Sequence, residues 1–321
     1  MKLLALATAL ALLVPVAGSA QTTPLSTVRV GTTSNDTAAI IFIAQDRGFF
    51  ERAGLKVDVQ PNSSTNGASA ATNVLSNSVD VAVSNVVSIA VAHAKHFPLQ
   101  FIAPAGVYVS TAPIASLVVA KSSTIKSAAD LDAKTTIAVD GLRNNTHIAT
   151  LGWIDANGGD SHRAKFVELP FSEMAAALQR HTIDAAFISE PALTLAKEAG
   201  DVRIIGNPYD SIGRRFLING YFSSTDWISK HPQEVARFAG AMTEAARWAN
   251  NNRPLSAPIL IAHTKMLPSL VAKMTRATYG DILTPAMIQP NIDAATKYGL
   301  LTETFPARDI MYEPGAPSTP Q

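Results

Sequence analysis

From Val28 to Ile188, short apolar runs of strand character alternate with longer segments of helical periodicity, and the alternation stops and restarts once, after Lys121. No other property of the chain restricts its fold so strongly. Strands separated by helices pair through crossovers, which gives a mostly parallel sheet with both faces covered. The first series reads as a strand over 28–32, a helix over 37–47 closed by Gly48, a strand over 55–60, a helix over 67–76, a strand over 79–84 and a helix over 86–96. The second reads as a strand over 136–139, a helix over 147–157 ended by Gly158 and Gly159, a strand over 165–169, a helix over 172–180 and a strand over 183–188. Two α/β units are therefore expected.

A faint echo links the units. Residues 75–85 and 178–190 both run from a helix through a polar turn into a short apolar strand that ends in Ser and one polar residue, Ser84-Asn85 and Ser189-Glu190. The echo fits a duplication and equally fits the ordinary grammar of α/β units. Two extended apolar stretches, 114–120 and 215–222, are read as the crossovers by which the chain enters and leaves the second unit, and their ends as a two-segment hinge. Beyond Ser224 the pattern is almost wholly helical. The longest helix opens at His231-Pro232 and carries Val235, Phe238, Met242, Ala245 and Trp248 at spacings of three and four. Further helices are expected over 255–263, 268–276 and 285–298, with a loosely held tail after Pro306.

The chain opens with Lys2, an apolar run from Leu3 to Val16 and the small residues Ala17 to Ala20. This reads as a secretory signal over 1–20, cut before Gln21, since the run is shorter than the roughly 18 residues a spanning helix needs. Among 321 residues there is no cysteine, which excludes a lipid-modified cysteine, disulfides and thiolate metal sites. Lys and Arg number 26 against 25 Asp and Glu, or 25 against 25 once Lys2 leaves with the signal. Nucleic acid and anionic lipid are bound by concentrated positive charge, so this balance argues against both. A soluble periplasmic monomer without a cofactor is expected.

Four loops at predicted strand ends are rich in small polar side chains: Ser34, Asn35, Asp36 and Thr37; Asn62, Ser63, Ser64 and Thr65; Ser84 and Asn85; and Arg143, Asn144, Asn145 and Thr146. In open α/β sheets the crevice lies beyond the carboxyl ends of the strands. Each loop precedes a predicted helix, so its side chains and the exposed helix N–H groups could grip a polar or anionic group. Taken singly, each is also a good helix cap. Four together favour a site. Arg143 suits bidentate pairing with a sulfonate, carboxylate or phosphonate, or it stands solvated. Glu190 and Asp36 would repel an oxyanion and attract an amine or ring N–H, while Glu190 equally suits capping the helix that Pro191 starts. His93 and His96 are expected to complement a helix C-terminus, with no third metal ligand evident. Signatures for dinucleotide, phosphate-loop, zinc-protease and serine-hydrolase chemistry are absent.

The segment Gln45-Asp-Arg-Gly-Phe-Phe-Glu-Arg-Ala-Gly-Leu-Lys-Val, with Val79-Asp-Val-Ala, Lys126-Ser-Ala-Ala-Asp-Leu, Ile183-Asp-Ala-Ala, Glu190-Pro191 and Ala246-Arg-Trp-Ala-Asn, resembles the nitrate/sulfonate/taurine solute-binding family, some of whose relatives bind thiamin-pyrimidine precursors. The resemblance implies a two-lobed periplasmic binding protein fold of type II, α/β in class. Lobe 1 would comprise 21–113, lobe 2 114–219, and 220–321 would return to lobe 1 with the C-terminal helices. It implies one small-molecule ligand in the cleft, contacted by the four loops and Glu190, and delivery to an ABC permease in the inner membrane. The expected cargo is a small polar organic solute, sulfonate, taurine-like or pyrimidine-like. An enzyme resembling pyrimidine synthases and a ligand-binding module for a membrane sensor are the alternatives. Such synthases use cysteine and histidine clusters, and the missing cysteine weighs against the first.

Overall fold

Both main sheets are built around three parallel strands in one order. A computed structural model describes residues 25–61 and 67–313; the expected signal, Asn62, Ser63, Ser64 and Thr65 lie outside the described residues. In the first sheet Leu55–Pro61 pairs parallel with Ser26–Thr32, which pairs parallel with Val81–Asn85. In the second, Lys165–Glu168 pairs parallel with Thr136–Val139, which pairs parallel with Ala185–Ser189. Each trio thus runs second, first, third in chain order. Each is extended by two strands in antiparallel pairing, Asn219–Ser224 then Leu99–Pro104 in the first sheet, and Ala115–Ala120 then Val202–Gly206 in the second.

One carboxylate device recurs at the same place in both sheets and accounts for part of the sequence echo. Asp80 lies just before the third parallel strand of its sheet. Its backbone N–H donates to the Arg29 carbonyl at 2.9 Å, and its carboxylate accepts the Arg29 N–H at 2.8 Å. Asp184 stands in the equivalent position, with N–H to the Thr136 carbonyl at 2.8 Å and carboxylate from the Thr136 N–H at 2.7 Å. These bonds fix the register of neighbouring parallel strands, which no hairpin turn can do. Asp80 also pairs with the Arg29 guanidinium, Nη2 to Oδ1 at 2.6 Å.

The stretches read as crossovers are strands that enter the partner sheets. Ala115–Ala120 runs through the second sheet, while 215–222 divides into Arg215–Leu217 and Asn219–Ser224. A small third sheet stitches the two passages together, because Gly106–Val109 pairs antiparallel with both Arg215–Leu217 and Thr278–Tyr279. Tyr108, Phe187, Tyr209 and Phe216 cluster beside it with ring centroids 4.9 to 5.4 Å apart. The strands Leu99–Pro104, Gly106–Val109 and Val202–Gly206 were not expected from the sequence. They are short and apolar, and such runs do not distinguish strand from buried helix.

The expected helix over 37–47 is divided into a 3-10 turn, Asp36–Ala38, and the helix Ile40–Asp46. Gly48, at φ +68, then opens the single turn Phe49–Arg52. On the long helix Pro232–Asn251, Val235, Phe238, Ala241, Met242, Ala245, Ala246 and Ala249 are buried against Ile40–Asp46 and Phe50. Trp248, assigned to this stripe, is only partly buried and carries the Arg47 guanidinium 4.6 Å above its ring. His93 packs against Phe305 at 4.6 Å. It stands in the last turn of the helix Val86–His93, as expected, and burial lowers its pKa.

Two stability measurements check this packing. Phe238 is fully buried and stacks on Phe50 at 5.3 Å, so Phe238→Ala should lower the urea-unfolding free energy by about 3–5 kcal/mol. Asp184→Ala strands the Thr136 N–H and should cost about 1.5–3 kcal/mol, the range for hydrogen bonds to a charged group.

Candidate functional site

The carboxyl ends of the two parallel trios open onto one cavity of about 760 Å³. Thr33, Asn35, Asp36, Thr37, Ser84 and Asn85 line it from the first sheet, and Asp140, Asn144, Asn145, Thr146, Ser189 and Glu190 from the second. The volume falls in the range of small-molecule sites.

Local capping explains how each loop is held. Asn35 accepts the Ala38 N–H at 3.0 Å, and Asn85 accepts the Ser88 N–H at 2.9 Å. Asn144 accepts N–H groups of Thr146 and His147 at 3.0 and 3.1 Å at the start of the helix Asn145–Ala156. Capping and lining therefore coexist, because a cap residue sits where the strand ends and the helix begins. Asn219 reaches in from the return strand, its amide oxygen accepting from the Gly106 N–H at 2.8 Å and its nitrogen donating to Thr37 Oγ1 at 3.1 Å.

The carboxylates occupy different environments. Asp36 is 4% exposed and accepts from Arg276 Nε at 3.2 Å, the Ala277 N–H at 2.6 Å and the Tyr279 hydroxyl at 3.1 Å. Its charge is matched within the protein. Glu190 accepts the Thr194 N–H at 3.0 Å, the Thr194 hydroxyl at 2.9 Å and, from the other side of the cleft, the Thr275 N–H at 3.3 Å. It therefore caps the helix Ala192–Ala199 while lining the cavity. Burial pushes its carboxyl pKa up despite the opposing pull of these donors. Asp140 accepts from the Asn144 amide at 3.0 Å and from the Thr146 hydroxyl, and burial raises its pKa as well.

Two of the expected residues stand apart from the cavity lining. Arg143 is exposed, at φ +64, with its N–H on His147 Nδ1 at 3.1 Å. Ser34 is half-buried and likewise outside the lining. Asp140, Phe171, Leu195, Tyr209, Asn219 and Thr275 belong to the lining and were not proposed from the sequence. Asp140 carried a usable signal, since it directly follows the strand Thr136–Val139. The others required knowledge of which elements face each other. Among the described residues no group of three His, Asp or Glu is placed to hold a metal ion, and no helix is long and apolar enough to cross a membrane.

Comparison with known proteins adds family and fold. A family model described as NMT1/THI5 like matches residues 35–254, more than half of the chain. No curated protein matches it in sequence. Among solved structures it is similar to the periplasmic aliphatic sulphonate binding protein SsuA from Escherichia coli, with 17% identity, TM-score 0.73, and 92% of this chain and 95% of that chain covered. The alkanesulfonate-binding protein SsuA from Xanthomonas axonopodis pv. citri, bound to MOPS, aligns at 17% identity and TM-score 0.69, over 90% and 96% of the two chains. The periplasmic nitrate-binding protein NrtA from Synechocystis PCC 6803 aligns at 17% identity and TM-score 0.60, over 77% and 69%. These likenesses establish the periplasmic binding protein fold.

The raised pKa of Glu190 gives a pH test. The folded chain holds this proton to higher pH than the unfolded chain, whose carboxyl titrates near 4.5. The group's contribution to stability is therefore complete below that value and is lost as pH rises through the raised one. Glu190→Gln should flatten this segment of the stability profile, read from urea midpoints at successive pH values. An unchanged slope would remove Glu190 as its source.

Proposed function

The chain belongs to the NMT1/THI5-like family, and on that premise we propose that it is the solute-binding component of an ABC importer. It would bind one small polar organic molecule between its lobes and deliver it, chemically unchanged, to a permease in the inner membrane. The observation that carries this reading is that the strand ends of two like-ordered sheets face a shared cavity. Each loop supplies only a weak contact, since a helix N-terminus facing a charge contributes about 0.3–1 kcal/mol. Micromolar binding needs about 8 kcal/mol. Loops from both sides must act together, which suits closure about the passages 104–115 and 206–219. The signal expected from the sequence over 1–20 supports a periplasmic location, and the lobes are proposed as 21–113 with 220–321, and 114–219.

The proposed ligand contacts are the lining residues Asn35, Asp36, Thr37, Ser84, Asn85, Asn144, Asn145, Thr146 and Glu190, with Asp140 and Asn219 added. Sulfonate and nitrate, named for the related structures, do not carry over at 17% identity.

A cognate solute should raise the melting temperature, corresponding to about 2.7 kcal/mol at a hundredfold excess over Kd. It should also reduce the radius of gyration in small-angle scattering and be recovered unaltered by mass spectrometry. Recovery of a transformed molecule would replace the receptor reading with an enzyme.

A further inference from the structure

We infer that the cleft selects a ligand whose polar head donates N–H hydrogen bonds and bears no negative charge, with an apolar portion lying along the helix wall. This rests on the receptor reading above. Among the described residues the cavity lining contains four carboxylates, Asp36, Asp140, Glu190 and Asp201, and no lysine, arginine or histidine. Asp36 is matched by Arg276. Asp140 and Glu190 accept hydrogen bonds from hydroxyl, amide and backbone N–H donors, with Lys197 acting on Glu190 from outside the lining. Such donors satisfy hydrogen-bonding capacity without cancelling charge. Where these carboxylates are ionised, an oxyanion would enter beside like charges in a space where water screens poorly, whereas an ammonium, amidinium or neutral amide head meets acceptors.

Ser84 provides a separate observation. It lines the cavity, is 6% exposed, and its hydroxyl oxygen has no partner among the described residues. Buried polar atoms are almost always satisfied, so a polar atom of the ligand belongs at this wall. Across the cavity Phe171, Ala175, Ala176, Ala192 and Leu195 form an apolar face. Leu195 is 50% exposed although it lines a cavity, and an apolar group of the ligand would cover it. One feature favours the opposite charge: Nη2 of Arg276 is buried without a partner among the described residues. Arg276 is not itself a lining residue, and its Nε is committed to Asp36.

The test joins an unbiased arm to a matched one. The exported chain is incubated with a bacterial metabolite extract, and the retained molecule is identified by native mass spectrometry. In parallel, benzylamine and benzamide are compared with benzenesulfonate and phenylacetate by isothermal titration calorimetry. The expected result is retention of an N–H donor without negative charge, and at least tenfold tighter binding of the amine and amide than of the two anions. Asp140→Asn should weaken the amine at least tenfold and the neutral amide less than threefold, with an unchanged melting temperature. Retention of an anion, or tighter binding of the sulfonate or carboxylate, overturns the inference and leaves the receptor reading standing. Normal folding of the Asp140→Asn chain with undiminished amine binding overturns the role given to Asp140. If that variant does not fold, the matched probes on the unaltered chain decide. Retention of nothing from the extract, with no probe bound, overturns the receptor reading and this inference together.

Discussion

The buried Asp36 carboxylate is the constraint on which the cleft depends. A charge removed from water is tolerated only when it is paired and hydrogen-bonded, and Asp36 achieves this by drawing in Arg276, Ala277 and Tyr279 from 240 or more residues away in the chain. The Tyr279 hydroxyl also donates to the Asp36 carbonyl at 3.0 Å. The segment between the helices Pro268–Lys273 and Pro285–Lys297 is thereby fixed to the first cleft loop, and Thr278–Tyr279 is held where it completes the third sheet. The same contact matches the guanidinium of Arg276. Among the described lining residues the carboxylates then remain without a free cation, which sets the electrostatic character of the cavity.

Register in the two large sheets has a comparable local origin. Parallel strands cannot be aligned by a hairpin, and Asp80 and Asp184 perform that task by joining the edge of one strand to the entry of the next. Because both sheets share the order second, first, third, their loops emerge at corresponding places. Together these loops bring Ser84 and Asn85 from one sheet and Ser189 and Glu190 from the other into the lining of one cavity. Glu190 spans it, bonded to Thr194 on its own side and to Thr275 on the other.

Much of this was legible in the residues. The alternation of apolar runs with helical periods set out the parallel trios, and Pro232 with the stripe from Val235 to Ala245 set out the long helix. Asn35, Asn85 and Asn144 could be recognised at helix starts because capping is a local interaction. The short strands Leu99–Pro104 and Gly106–Val109 were not legible, since their length does not separate strand from buried helix and their partners lie more than a hundred residues away. Arg143 shows the converse problem. Its sequence position left open a cleft cation or a solvated side chain, and the structure gives it φ +64 and an exposed side chain outside the lining.

The sequence by itself determined the class of fold, the number of α/β units, the loops that could bear a site and the absence of thiol chemistry. These properties follow from periodicity, caps and composition, which act over a few residues. Tertiary structure alone decided that Asp36 is matched by Arg276, that Tyr209, Asn219 and Thr275 join the lining, and that Arg143 does not. Charge and solvation at a cavity depend on which distant groups share it, and that proximity arises only when the sheets, the crossing strands and the C-terminal segment pack together.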